Sequence, residues 1–156
     1  QIITKPLYGN GGVGIHRFSK NNFDPDILKQ YLHLPIMVQK YINEIDQGDR
    51  RLIIIDGEYC GSVARIPKDG DSKANFHAGG IPRKTGLVFR DKKIIETVGP
   101  LLKENNLFFV GIDIIGDYLT EVNVTSPTGI KQINMLNDVN LEKVFWDKLE
   151  AKYKLV

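Results

Sequence analysis

The chain alternates short apolar runs with breaks rich in glycine, asparagine and aspartate, and the spacing within each run predicts its element. Ile2, Ile3 and Thr4 are β-branched and open a strand. Glycine takes four of the six positions from Gly9 to Gly14, and VGIHRF behind it reads as a second strand. Asp24 caps and Pro25 opens a helix whose Ile27, Leu28, Tyr31 and Leu32 share one face, and Pro35 ends it. PIMVQKYI is a strand and NEIDQGDR a polar loop. Two apolar runs around Asp56-Gly57 predict a hairpin over 51–66. The segment 67–85 reads as one long loop, a kind that is usually functional or disordered. A helix over 89–105 should kink or break at Gly99-Pro100. LFFVGIDII and YLTEVNV are strands around Gly116-Asp117, SPTG is a turn, and Asn140 caps a closing helix over 140–153. The expected class is α+β, with antiparallel hairpins and helices packed on one face.

Composition narrows the function classes. The 156 residues suffice for one domain or a large part of one, and apolar residues at 42% can form a core. A net charge of +2 is too small to argue for nucleic acid. No apolar run approaches the roughly 20 residues of a membrane span. The single cysteine, Cys60, excludes an internal disulfide and points to a reducing compartment. The chain opens on Gln1, without an initiator methionine and within a strand, so the expectation is that structure upstream is missing.

The glycine run matches G-x-G-x-x-G, but a dinucleotide fold needs a helix directly behind the glycines, and VGIHRF is strand-like. A P-loop needs Lys-Ser or Lys-Thr after the last glycine, and this chain has Ile15-His16. What remains is a strand–glycine loop–strand flap, which lays backbone N–H groups over phosphates or is simply a surface hairpin. Lys5, at a strand end beside the glycines, suits a phosphate contact.

A second cluster shifts that balance. Glu121 and Asn123 are two apart on one strand and share a face. With a three-residue hairpin loop, Gly116 to Tyr118, Asp113 lies across from Glu121. Two carboxylates and an amide oxygen are hard ligands of the kind magnesium takes beside nucleotide phosphates. Arg51 and Arg65 stand near the ends of the central hairpin and suit phosphate or carboxylate oxygens. Asp49 is placed to accept from a ribose or to turn its loop. His16, His33 and His77 have no metal spacing, and Cys60 lacks a neighbouring base, so covalent catalysis has little support.

In order, KPLYGNGG, VQKYI, DQGDRR, VARIP, NFHAGG and VGIDIIGDYLTEVNVTSPTG resemble the ATP-grasp fold and, more closely, the prokaryotic glutathione synthetases. The last segment is the most specific. The resemblance implies that residues 1–156 are the C-terminal part of an N-terminally truncated ATP-grasp domain, with the substrate domain and the first part of the ATP-grasp domain absent. It implies ATP-dependent ligation of γ-glutamylcysteine and glycine through an acyl phosphate, in a cytoplasmic, homo-oligomeric parent protein without nucleic-acid or membrane partners, the chain alone being inactive. Alternatives are another ATP-grasp carboxylate–amine ligase, or an ATP-binding module without catalysis.

The resemblance also assigns residues. Lys5, Gly9, Asn10, Gly11 and Gly12 would hold ATP phosphates, Gln39, Lys40, Tyr41 and Ile42 the adenine, and Asp49 the ribose. Arg51 and Arg65 would contact the reacting groups, with Arg65 also among the substrate-binding residues. Asp113, Glu121 and Asn123 would hold magnesium or manganese. Asn75, Gly79, Gly80, Ser126 and Thr128 would bind substrate, and 67–80 would be a closing loop. Lys73 and Ile81 stand where arginines are expected in that loop, with Arg83 a possible compensation.

Overall fold

A computed structural model describes residues 1–8, 11–68, 76 and 79–155. Two antiparallel sheets carry the fold. The smaller has the order β2-β1-β3, from β1 (Ile2–Pro6), β2 (His16–Phe18) and β3 (Ile36–Lys40). The glycine run therefore joins two paired strands, as its sequence predicts. The larger has the order β6-β5-β4-β7-β8, from β4 (Asp49–Ile55), β5 (Glu58–Ile66), β6 (Ile81–Lys84), β7 (Phe109–Ile115) and β8 (Tyr118–Asn123).

β4 is central in this sheet, and Leu52, Ile53, Ile54 and Ile55 are all buried. Side chains alternate across a strand. Leu52 and Ile54 join Val110, Ile112 and Ile114 against α2 (Phe89–Glu104), through Ile94 and Leu102. Ile53, Ile55 and Val63 form the opposite core with Ile133 of α3 (Ile130–Asn137) and Leu141 of α4 (Leu141–Tyr153). Helices thus cover both faces, not one as expected. An unbroken run of four apolar residues on a central strand requires this, since each face needs a cover.

The β4–β5 turn falls at Asp56-Gly57, where both residues have positive φ. Cys60 is the extra residue of a bulge in β5, and burial pushes its thiol above the ordinary value. This fits packing and not nucleophilic chemistry.

Four expected elements differ. α1 is only Pro25–Lys29, with Asp24 capping as expected, and tight turns follow it in which Tyr31 N–H donates to Leu28 and Leu34 N–H to Tyr31. Its apolar face has no buried residue, and Leu32 is 72% exposed, so packing does not extend the helix. Residues 43–47, read as loop, form a 3-10 helix, and 81–84 form β6. α2 runs unbroken through Gly99-Pro100. Pro100 and Glu96 are both exposed, so the carbonyl deprived of an N–H partner meets water.

Gly99 also touches the β4–β5 turn. A Cβ there would stand 2.4 Å from the Gly57 carbonyl oxygen, a backbone atom with little freedom to retreat. Gly99→Ala gains about 1 kcal/mol of helix propensity but overpacks this contact, which costs about 1–3 kcal/mol. The expected result is a net loss of stability in urea unfolding; a stabilised variant would contradict the close approach.

Candidate functional site

The two faces of β4 divide at adjacent arginines. Arg50 lies on the α2 face and Arg51 on the other, beyond the edge of the α3–α4 core. Asp49, Arg51, Arg65 and Asp113 meet there, brought together by the pairings Asp49↔Arg65 and Arg51↔Asp113. All four are buried. Arg51 donates through Nε and Nη2 to the two oxygens of Asp113, and through Nη1 to the Thr128 carbonyl at 3.0 Å. Arg65 forks onto both oxygens of Asp49, its Nε 2.7 Å from Oδ1, and its Nη2 stands 2.9 Å from Asp113 Oδ2. The Phe76 ring lies over the Arg65 guanidinium at 5.6 Å.

Two positive and two negative charges balance in this cluster. Burial opposes the Arg65 charge, but Asp49 and Asp113 outweigh it and hold the guanidinium positive. Burial pushes the Asp49 carboxyl up, and the Arg65 fork recovers only part of that. Gly111 makes room for the cluster: a Cβ on it would stand 2.6 Å from Pro127 and 3.2 Å from the Arg51 stem. The glycine therefore lets the arginine and the residues before α3 lie flat on β7.

Glu121 faces Asp113 across the β7–β8 pair, and Asn123 faces Gly111. The expected pairing is present, but by a different route. The turn holds two residues, Gly116 and Asp117, and a bulge at Thr120 restores the register. Thr120 Oγ1 donates to the Asp113 carbonyl at 3.1 Å. Asn123 Nδ2 lies 3.4 Å from Asp113 Oδ2, and Lys5 Nζ reaches Glu121 Oε1 at 3.5 Å from the other sheet. Among the described residues no three His, Cys, Asp or Glu side chains converge as a metal site. A cation here would draw on two carboxylates and the Asn123 amide oxygen. That all-oxygen set fits a hard divalent ion.

Gly11 and Gly12 have positive φ, at 65° and 78°, in the loop between β1 and β2. Gln39 and Lys40 end β3 opposite Ile3 and Ile2. Tyr41 is buried beyond them, with the Arg17 guanidinium 3.8 Å from its ring centre, and Ile42 precedes the 3-10 helix. Asp49, expected at a ribose, accepts from Arg65 on both oxygens. Gly79 has positive φ beside Lys68, and Gly80 is buried. Ser126 and Thr128 are exposed just ahead of α3. Gly9, Asn10, Lys73 and Asn75 lie outside the described residues. Ile81 and Arg83 sit on β6, both exposed.

Sequence reasoning missed the Thr128 carbonyl as an Arg51 acceptor and Thr120 as the bulge residue. It also missed α3, which sets the approach of 126–129. The adjacent Arg50 and Arg51 carried a signal: on a strand, neighbours must face opposite ways.

A family model described as the prokaryotic glutathione synthetase ATP-grasp domain matches residues 1–138. The chain belongs to this family. The glutathione synthetase of Mesorhizobium japonicum is 43% identical over 157 residues, covering 98% of this chain and 50% of the relative. That of Agrobacterium fabrum is 41% identical over 155 residues, covering 97% and 49%. The chain thus spans about half the length of the curated relatives it matches. Among solved structures, the ATP-grasp ligase PsnB complexed with minimal precursor, Mg and ADP superposes with a TM-score of 0.65 at 14% identity, covering 98% of this chain and 46% of that one. D-alanine–D-alanine ligase from Bacillus anthracis complexed with ATP gives 0.56 at 18% identity, covering 94% and 54%. The fold is that of the ATP-grasp ligases. No helix among the described residues is long and apolar enough to cross a membrane.

Proposed function

We propose that this chain forms the catalytic ATP-grasp portion of a glutathione synthetase that joins γ-glutamylcysteine and glycine. The observation that carries the reading is the meeting of the two sheets. Lys5, on the strand leading into the glycine loop, stands 3.5 Å from Glu121 of the carboxylate hairpin, in a chain of this family. ATP with magnesium, bound there, would supply the phosphoryl group that turns the γ-glutamylcysteine carboxylate into an acyl phosphate open to the glycine amine, leaving ADP and phosphate. Manganese has the same ligand preference in this set.

The chain's own residues supply charge and position. Lys5 presents its ammonium toward phosphate oxygens, and Gly11 and Gly12 let backbone N–H groups approach them without a side chain between. Asp113, Glu121 and Asn123 would hold the cation. Arg51 and Arg65 hold two fixed positive charges in a buried, weakly screened place, where they stabilise developing negative charge without reorganising. Asp49 and the Thr128 carbonyl keep them aimed. Ser126 and Thr128, exposed before α3, would hydrogen-bond a peptide substrate.

The test is ADP release by the protein carrying this chain, with γ-glutamylcysteine and glycine supplied singly and together. Release that needs both is expected. Turnover confined to other amino-acid pairs would reassign the protein to another ATP-grasp carboxylate–amine ligase. ATP binding without turnover on any pair would make it a nucleotide-binding module.

A further inference from the structure

The face of the large sheet opposite the site carries another ion pair, between a half-buried arginine and a buried aspartate. Arg50 Nη2 lies 2.7 Å from Asp91 Oδ1, and its Nε stands 3.0 Å from Oδ2. Asp91 is fully buried in the first turn of α2 and also accepts from the Val88 N–H at 3.1 Å. The same Arg50 Nη2 reaches past it to the Gly116 carbonyl at 2.7 Å. Arg90, next to Asp91, donates from Nε to the Asp117 carbonyl at 3.0 Å. Both residues of the β7–β8 turn are therefore held through their carbonyls by guanidinium groups. A third element closes the grip. A Cβ on Gly116 would stand 3.2 Å from the Glu44 side chain, on the 3-10 helix that follows the Lys40–Ile42 segment. Ile115, just before the turn, packs against the Tyr41–Ile45 cluster, as does Ile3 of the small sheet.

This turn is where the register of the hairpin is set. Ile115 pairs with Tyr118 across a two-residue turn, and the bulge at Thr120 brings Glu121 opposite Asp113. A turn free to relax would let β8 slip, and a one-residue slip sends Glu121 and Asn123 to the other face. The turn also touches the element that follows β3, so its position fixes the distance between Glu121 and Lys5 of the small sheet.

We infer that Arg50, held by Asp91 and assisted by Arg90, is a positioning residue for the cation site: it clamps the Gly116-Asp117 turn from the far side of the sheet and so holds Glu121 and Asn123 in register with Asp113. The inference rests on the metal reading of that hairpin. Arg50 touches neither the cation ligands nor any substrate group, and it acts through the turn.

The experiment is a titration of Mn2+ by electron paramagnetic resonance, with and without ADP, on the protein carrying this chain. Four forms are compared: unmodified, Arg50→Lys, Arg90→Ala and Glu121→Gln. Lysine keeps the charge of Arg50 but cannot hold Asp91 and the Gly116 carbonyl together. Outer residues that orient ligands typically alter metal affinity by about 10–100-fold, and Arg50→Lys is expected to weaken Mn2+ by at least about tenfold. Arg90→Ala, an exposed change that leaves the core intact, should weaken it less and in the same direction; it decides the matter if Arg50→Lys does not fold. A purely structural clamp would lower the unfolding midpoint and leave the Mn2+ affinity of folded protein unchanged, and that result overturns the inference. If Glu121→Gln weakens Mn2+ while both arginine variants bind normally, only the positioning role fails. If Glu121→Gln binds as the unmodified protein does, the metal reading fails and takes this inference with it.

Discussion

Replacing Asp113 with asparagine lowers the folding stability of the protein carrying this chain by about 3–5 kcal/mol. Asp113 is 3% exposed and lies between two guanidinium groups, taking Arg51 on both oxygens and Arg65 on one. Asparagine has almost the same shape, so no cavity forms. What changes is the charge. The buried set of Arg51, Arg65, Asp49 and Asp113 goes from neutral to one net positive charge, and an amide N–H₂ group faces donors on Arg51 or Arg65. Swapping a whole buried ion pair for apolar groups is often neutral, whereas removing one partner strands the other. Here one carboxylate serves two arginines, so the upper part of the range is expected. Urea unfolding gives the measurement. A loss under about 1 kcal/mol, the level of an exposed pair, would mean that water reaches the cluster and screens it.

Local pattern made much of this legible. Alternation within β4 separates Arg50 from Arg51, and the Asp56-Gly57 turn announces the central hairpin. The facing of Asp113 and Glu121 was also readable, although the loop length was not. A two-residue turn plus a bulge at Thr120 pairs the same residues as a three-residue loop without one. Bulges depend on partner-strand geometry, which periodicity does not encode. α3 escaped because Pro127 and Gly129 read as a turn, and Asn134 and Asn137 are poor helix formers. Tertiary contacts hold it instead: Ile133 is buried, and Asn137 Nδ2 donates to the Ser62 carbonyl at 3.2 Å. The same limit hid the partners of Arg51 and Arg65. Each arginine was visible as a charge seeking an anion, but Asp113 lies 62 positions from Arg51, and only the sheet order unites them. The run from Leu52 to Ile55 did carry the missing clue that helices cover both faces, since no exposed face suits four apolar residues in succession.

Glu121→Gln is expected to leave that scaffold intact and reduce cation-dependent turnover by at least about 100-fold. The side chain is 46% exposed, and its one ion pair among the described residues, to Lys5 at 3.5 Å, is of a kind worth at most about 1 kcal/mol. The unfolding midpoint should therefore stay close to that of the unmodified protein, in contrast to Asp113→Asn. Glutamine preserves length and one carbonyl oxygen, so substrate access is unchanged. It removes one of the two carboxylate charges proposed to face the cation and takes from Lys5 its Glu121 counterion. A 100-fold loss corresponds to about 2.7 kcal/mol of transition-state stabilisation, well above what the surface pair contributes to folding. Steady-state ADP release across a range of magnesium concentrations separates the causes. If raising magnesium restores the rate, Glu121 acts mainly through cation affinity. If the rate stays low at saturation, the missing charge is needed in the transition state itself. Undiminished turnover at every magnesium concentration would remove Glu121 from the site and leave Asp113 serving the arginines alone.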